Sequence, residues 1–392
     1  MSFFSFSKKR ASRATLILDI GSKSVGGAIY QKTDTGGAKL LYTGREQIAF
    51  QKELKGERLL AVALNSLSTL LVHIEKYGIE HLVEKVVLVV SSPWHASETK
   101  TLSLKLPKPT VITKAMVDEL LSEEEKLFEE KKKSENQEVS YEVFERKIIE
   151  MRLNGYPTAT PYGKIAERLD IHLFGSIISS TALSEIRKTV QRHFPVESFF
   201  YHTFSAVAFA SLRDHFSELQ SFLVIQVGGE VTDITIIKKG LIVETVSFPL
   251  GHNGLLRSLE EICGLYPHCT LEAVLSLHKG AKIDNYDRAK VETAIANTKK
   301  SWLGYFDSAI ANFSEETFLP KDVFLFEEVP YASVFEEFLR EASAGQFTIT
   351  AEPFVVKVID QTAQSLFSEI GKGVQSDPIL SMEARFSARV DG

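Results

Sequence analysis

LILDIGSKSVGGAIY, Leu16 to Tyr30, decides how this chain is read. Leu16–Ile20 is an apolar run of strand length, the residues after it form a polar turn opened by Gly21, and Val25–Tyr30 is a second strand running back. The pattern returns at Leu223–Ile237 as LVIQVGGEVTDITII, which sets Asp19 opposite Gln226, Gly21 opposite Gly228 and Ile29 opposite Ile236. A glycine turn brings backbone N–H groups close to an anion, because no Cβ stands in the way and positive φ is open to it. Two such turns facing each other can hold a chain of phosphates. A carboxylate at the end of the strand before a turn, as Asp19 is, suits hydrated Mg²⁺, which takes oxygen ligands and keeps several waters.

Around this pair of hairpins lie 392 residues, 44% apolar and 24% charged, enough for two or more domains with cores of their own. The net charge of -6 points away from nucleic acid as a general partner. Cys263 and Cys269 are the only cysteines and do not form a CxxC pair, which predicts a reducing, cytoplasmic setting and no structural zinc. No uninterrupted apolar run of about 18 residues stands out as a membrane span, and the first residues lack the apolar segment of a signal peptide. Met1–Arg13 mixes Phe3, Phe4 and Phe6 with Lys8, Lys9, Arg10 and Arg13 and reads as a flexible leader. Its sharper reading is peripheral contact with an anionic membrane, worth about 1 kcal/mol per basic residue against an ordering cost of about 1–2 kcal/mol per residue.

Strands are predicted at Leu16–Ile20, Val25–Tyr30, Lys39–Phe50 and Val86–Val90, and Leu60, Leu64, Leu67, Leu71 and Ile74 mark an amphipathic helix between the last two. A Glu/Lys-rich helix follows Pro107 and Pro109, then strands at Tyr141–Leu153 and Ala166–Ser179 and a helix at Ala182–His193: a small α+β module set between the halves. The second half repeats strand, turn, strand, strand from Leu223, with helices from Gly254, at Leu271–His278 and at Asp287–Phe313, a buried strand at VFLF and a last strand region at Phe347–Ile359.

LDIGSKSVGGAIY resembles the first phosphate loop of the actin-like ATPase superfamily, and VGGEVTDITII resembles its second. The segment LNGYPTATPYGKIAERLDIHLFGSIISSTALSEIRKTV, followed by FSAVAFASL and IVETVSFPLGHNGLLRSLEEICGL, is similar to the FtsA/PilM branch of that superfamily over roughly Thr15 to Asp360. The resemblance implies an α/β chain with the actin-like ATPase fold: two ribonuclease-H-like domains facing across a nucleotide cleft, with an inserted small α+β subdomain. The divisions it implies are a leader at 1–13, the first domain at 14–105, the insert at 106–201, a connecting helix at 202–220, the second domain at 221–360 and a tail at 361–392.

Also implied are ATP and Mg²⁺ as cofactors, with Asp19, Gly21, Ser22, Lys23, Gly228, Gly229, Thr232 and Asp233 at the nucleotide, Asp19 towards the metal and no catalytic residue assigned. The expected role is a cytoplasmic scaffold at the inner face of the membrane, tethering an FtsZ-like division protein or docking the tail of a pilus inner-membrane protein, with self-association in reach. The chain departs from the family where Gln226, Glu230 and Val231 replace an Asp, a Gly and a Thr, and where Glu327 and Glu328 replace a glycine pair. A carboxylate about 4 Å from a phosphate charge costs about 4 kcal/mol at an effective dielectric of about 20, so hydrolysis is expected to be weak or absent. His202, His252 and His278 show no paired carboxylate at readable spacing and are expected to be structural or simply exposed. The alternative function is a metabolite kinase of the same superfamily, which would need a carboxylate where Gln226 stands.

Overall fold

The computed structural model describes residues 13–134, 140–264, 287–311, 318–327, 331–342, 352–360, 363 and 367–391. Residues 1–12 of the leader, the helix expected at Leu271–His278, His278 itself and Glu328 lie outside the described residues.

Strands β1 (Ala14–Ile20) and β2 (Ser24–Lys32) form the first hairpin, with Asp19 opposite Gly26. All seven residues of β1 are buried, as expected of a central strand covered on both faces. β3 (Ala38–Gln47) continues the meander, α1 (Gly56–Tyr77) crosses one face, and β4 (Val83–Val90) returns parallel to β1. Among the described residues α1 is the one helix long and apolar enough to cross a membrane. Here its Leu67, Leu70, Leu71 and Ile74 are fully buried in the core beneath the first sheet. Gly78 ends it at φ 80°, the left-handed conformation in which a side chain would be strained, and its N–H closes on the Glu75 carbonyl.

β5 (His95–Val111) leaves this sheet and opens another. α2 (Lys114–Ser134), β6 (Tyr141–Leu153), β7 (Tyr156–Pro157) and β8 (Ile165–Ser179) complete it, in the strand order β5-β8-β6-β7 with α2 on one face. The small sheet thus takes in residues 95–105, which the sequence places with the first domain. Pro107 and Pro109 sit where the β5–β8 ladder is interrupted between Lys105 and Thr110, so proline is tolerated inside this strand. α3 (Ser180–His193) packs back on α1, and β9 (Phe199–Thr203) pairs in parallel with β4, so 199–201 belong to the first sheet. α4 (Phe204–His215) then enters a core shared by both halves, where Phe204 meets Phe326 with ring centroids 5.0 Å apart.

The second half repeats the first. Its elements are β10 (Phe222–Val227), β11 (Thr232–Lys238), β12 (Leu241–Phe248), α5 (His252–Cys263), α6 (Arg288–Ala311), β13 (Asp322–Phe326), α7 (Ala332–Glu341) and β14 (Val355–Val358). Its strand order, β12-β11-β10-β13-β14, matches β3-β2-β1-β4-β9 in the first. β13 lies parallel to β10 as β4 does to β1. Trp302 anchors this half, fully buried among Phe248, Phe306, Phe335 and Phe338.

The end of the chain departs from the tail expected at 361–392. β15 (Glu369–Ile370) adds to the free edge of β3, and α8 (Pro378–Val390) packs against α4, β1, β2 and β3. Leu380, Met382, Ala384 and Phe386 are buried, as are Ser381, Glu383 and Ser387 on the remaining faces. Buried Ser381, Glu383 and Ser387 make this short helix read as polar tail in the sequence, although it has an apolar side much as α1 does.

Candidate functional site: the cleft between the two turns

Both turns meet across the line between the halves. Gly228 and Gly229 press against the first turn: a Cβ on Gly229 would lie 2.5 Å from the Ser22 carbonyl oxygen and 2.8 Å from the Lys23 nitrogen. Only glycine allows this approach. The Glu230 N–H, one of the groups that would face an anion, donates instead to Ser22 Oγ at 3.0 Å. Gln226 Nε2 donates across the same line to Ser91 Oγ at 2.8 Å. Further along, Asp233 accepts from Ser247 Oγ and from the Ser92 N–H.

Most of the charged side chains at the turns meet other side chains, whereas both Glu383 oxygens and Arg45 Nη2 are buried without a hydrogen-bond partner among the described residues. Asp19 accepts from Arg45 Nη1 at 2.7 Å, and Arg45 Nε donates to Asp377 at 2.9 Å. Burial raises the Asp19 carboxyl, with Arg45 opposing it; burial likewise opposes the Arg45 charge, yet Asp377 and Asp19 hold that guanidinium well above its ordinary range. Glu383 on α8 is fully buried near this group, and burial together with Asp19 pushes its carboxyl well up. Lys23 donates to Glu327, whose other oxygen lies 3.4 Å from His252 Nδ1. Burial would raise Glu327, but the Lys23 and His252 charges outweigh it and hold the carboxyl low. Glu230 turns towards α5, taking Arg257 Nη2 at 2.7 and 2.8 Å and Asn253 Nδ2 at 2.7 Å. Thr232 donates to the Leu250 carbonyl at 2.7 Å and accepts from the Trp302 indole at 3.2 Å, so its hydroxyl is committed to the core.

The structure therefore brings Asp19, Gly21, Ser22, Lys23, Gly228 and Gly229 together at one cleft and sets Thr232 and Asp233 behind the second turn. As packed here these residues do not fit a magnesium-bound ATP. The turns touch where phosphates would pass, Arg45 holds the carboxylate expected to face the metal, and Glu327 holds the lysine expected to face a phosphate. Among the described residues no group of three or more His, Cys, Asp or Glu is placed to hold a metal ion. Arg45, Arg257 and Asp377 are the residues that sequence reasoning missed. Each is an ordinary charged residue in the sequence, and only the fold carries it to the cleft.

Two histidines expected to stand alone are paired. His252 faces Glu327 as above and meets the Tyr331 ring edge-on at 4.2 Å. His202 Nδ1 lies 2.9 Å from Glu145 on β6 and its Nε2 3.1 Å from Asp391 beyond α8. Lys147 joins Glu145 at 2.7 Å. Their partners are distant in sequence, so spacing could not show them. Burial would raise Glu145, yet the hydrogen bond from His202 and the Lys147 charge bring it down to about 2. For His202 burial opposes the charge, but Asp391 and Glu145 raise it above 6.5. The Glu145 contribution, roughly 3 kcal/mol, is thus full above pH 4.5 and lost as pH falls towards 2. The His202 contribution is full below pH 6.5 and lost as pH rises through the elevated folded value. The melting temperature is expected to fall from pH 6.5 to pH 9, and His202→Asn should flatten that slope in a pH series of thermal melts.

A separate opening of about 410 Å³ lies on the insert between α2 and its sheet. Ala96, Val143, Gly175 and Ile177 line it, Glu145 stands at one side, and the Lys100–Glu124 and Arg146–Glu125 pairs rim it. A Cβ on Gly175 would meet nothing within 4 Å, so the floor of this groove is open.

No family model matches the chain, and no curated protein matches it. Among solved structures it is similar to a chain of the PilM-PilN type IV pilus biogenesis complex, at 10% identity and a TM-score of 0.59, with 97% of this chain and 96% of that one covered. Weaker likenesses run to a Bacteroides thetaiotaomicron protein with actin-like ATPase fold and unknown function (9% identity, TM-score 0.40, 98% and 99% covered) and to the Acidaminococcus fermentans (R)-2-hydroxyglutaryl-CoA dehydratase component A (9%, 0.42, 97% and 98%). With its two like-ordered halves, its facing turns and the insert between β4 and β9, the chain has the actin-like ATPase fold.

Proposed function

We propose that this chain is a scaffold that acts by docking a partner, not by turning over nucleotide. It works at the cytoplasmic face of a membrane and holds the cytoplasmic tail of an inner-membrane protein in a pilus-type assembly. One observation supports this above the rest: the two turns are closed on each other and their charges are paired within the chain, which leaves binding rather than catalysis as the fold's use. The whole-length likeness to a chain of the PilM-PilN complex favours the pilus over the division ring. The tail would enter the groove on the insert, where apolar walls suit an amphipathic segment and the rim pairs can exchange partners with its charges. Nothing at Gln226, an amide bonded to Ser91, favours the kinase alternative.

The test is calorimetry with a synthetic tail of the PilN-type protein from the same organism. Micromolar binding, unchanged by ATP and Mg²⁺, is expected. Gly175→Phe, placed where a Cβ meets nothing within 4 Å, should weaken binding by about 30-fold or more in a variant whose melting temperature matches wild type. Absence of binding, or phosphoryl transfer to a metabolite, would overturn the proposal.

A further inference from the structure

The insert joins the first half at one end of its sheet, where β5 begins at His95 and β8 closes at Ser179. The other end lies about 30 Å along the strands, and two stretches meet there. Residues 105–114 leave the β5–β8 ladder between Lys105 and Thr110 and return to it with Val111 beside Ile165. Residues 154–166 make two turns. In the first, Asn154 and Gly155 take positive φ, the two-residue connection that suits the β6–β7 hairpin, and Asn154 Oδ1 accepts the Glu167 and Arg168 N–H groups. In the second, the Gly163 N–H donates to the Ile112 carbonyl and the Ile112 N–H to the Lys164 carbonyl. Both turns are therefore fastened to the sheet before anything binds.

This end combines exposed apolar side chains with unpaired positive charge. Tyr156 is 77% exposed and Ile165 64%, and Val111 and Tyr162 are open beside them. Lys105, Lys108, Lys114 and Lys164 are exposed on the same two stretches, neither of which contains an Asp or Glu, in a chain of net charge -6. Among the described residues the insert's ion pairs are made by other cations, Lys100, Arg146, Lys147, Arg152 and Arg168. Lys164 donates to a hydroxyl, Thr158 Oγ1, at 2.7 Å. Glu167 on β8, and Asp118 and Glu119 one turn into α2, bound the patch.

We infer that this end of the insert is a peripheral membrane contact, which seats its tyrosines and aliphatic side chains at the headgroup level of an anionic bilayer while its lysines meet lipid phosphates. Tyrosine suits that depth, with an apolar ring and a polar tip. Each lysine near an anionic surface strengthens binding about fivefold, and turns already fixed to the sheet lose little freedom on landing. An acidic protein would meet the lysines but leave the apolar side chains unused, and a neutral apolar partner would leave the lysines uncompensated. The inference goes beyond the docking proposal: it concerns lipid at the far end of the sheet and not a tail in the groove, so either can fail alone.

Co-sedimentation of the full-length protein with vesicles of phosphatidylcholine, alone or with about 30% phosphatidylglycerol, tests it with no tail present. Wild type should bind the anionic vesicles at least about tenfold more tightly than the neutral ones, and about 0.5 M sodium chloride should remove most of that preference. Lys105→Gln/Lys108→Gln/Lys164→Gln should lower the affinity for anionic vesicles about 100-fold. Tyr156→Ser/Tyr162→Ser should lower it about fivefold or more. Lys8→Gln/Lys9→Gln/Arg10→Gln, in the leader, should change it by less than about threefold. Should the triple lysine variant of the insert fail to melt cooperatively, Lys105→Gln/Lys108→Gln decides, with a loss of about 20-fold expected. No preference for anionic vesicles, binding unchanged by the insert variants, or loss in the leader variant alone overturns the inference. So does binding to poly-glutamate with none to vesicles, which would give the surface to an acidic protein.

Discussion

A chain shortened to end at Ser376, just before α8, is expected to yield no folded protein. Leu380, Met382 and Phe386 are buried in the core that both halves share, and each contributes about 2 kcal/mol by burial alone. Their sum, about 6 kcal/mol, is comparable with the whole stability of an ordinary domain, about 5–15 kcal/mol. The truncation also removes Asp377, so Arg45 loses one of its two carboxylates, and it strips the cover from Tyr30, which bonds Ser387 at 2.8 Å. Expression of the truncated chain should give insoluble material or a form with strong dye binding and no cooperative melt. A soluble, cooperatively melting product would show that α8 is an accessory.

Arg257→Ala is expected to carry a large stability cost among substitutions around the turns. The Arg257 Nη2 lies between both Glu230 oxygens and its Nε donates to the Gln51 carbonyl at 3.1 Å, so it ties the second turn to the first half. Breaking a buried pair by removing one partner costs about 3–5 kcal/mol, because the other charge stays buried. Glu230 is nearly inaccessible, but Arg257 is about a quarter exposed, so about 2–3 kcal/mol is the fitting size here. Denaturant unfolding of wild type and variant measures it. The double variant Arg257→Ala/Glu230→Gln should recover part of the loss, since no unpaired charge remains. A loss below about 1 kcal/mol would mean that Glu230 finds water or another partner.

What the sequence made legible was what repeats locally. The two hairpins show twice because each places a glycine turn between β-rich runs, and both fold as antiparallel hairpins, in which Asp19 lies beside Gly26 and Gln226 beside Asp233. The insert's long strands were also readable: Tyr141–Leu153 as it stands, and Ala166–Ser179, which the fold extends by one residue to Ile165. Its start was not: prolines at 107 and 109 argue against a strand, yet β5 carries both through an interrupted ladder. α8 escaped because it is short and buries Ser381, Glu383 and Ser387 beside its apolar residues, so that stretch reads as polar tail. At the cleft the residue types were visible and their partners were not. Gln226, Glu230 and Glu327 could be seen as departures from a phosphate site, but nothing in spacing links Lys23 to Glu327, Asp19 to Arg45, or His202 to Glu145 and Asp391. Those pairs are set by how strands of two halves and a final helix are brought together.

The central claim is that the facing turns are closed by the chain itself. Titration calorimetry of ATP with excess Mg²⁺ into the purified full-length protein tests it most directly. The closed turns predict no saturable heat, corresponding to a dissociation constant weaker than about 1 mM. Stoichiometric binding in the micromolar range would contradict it.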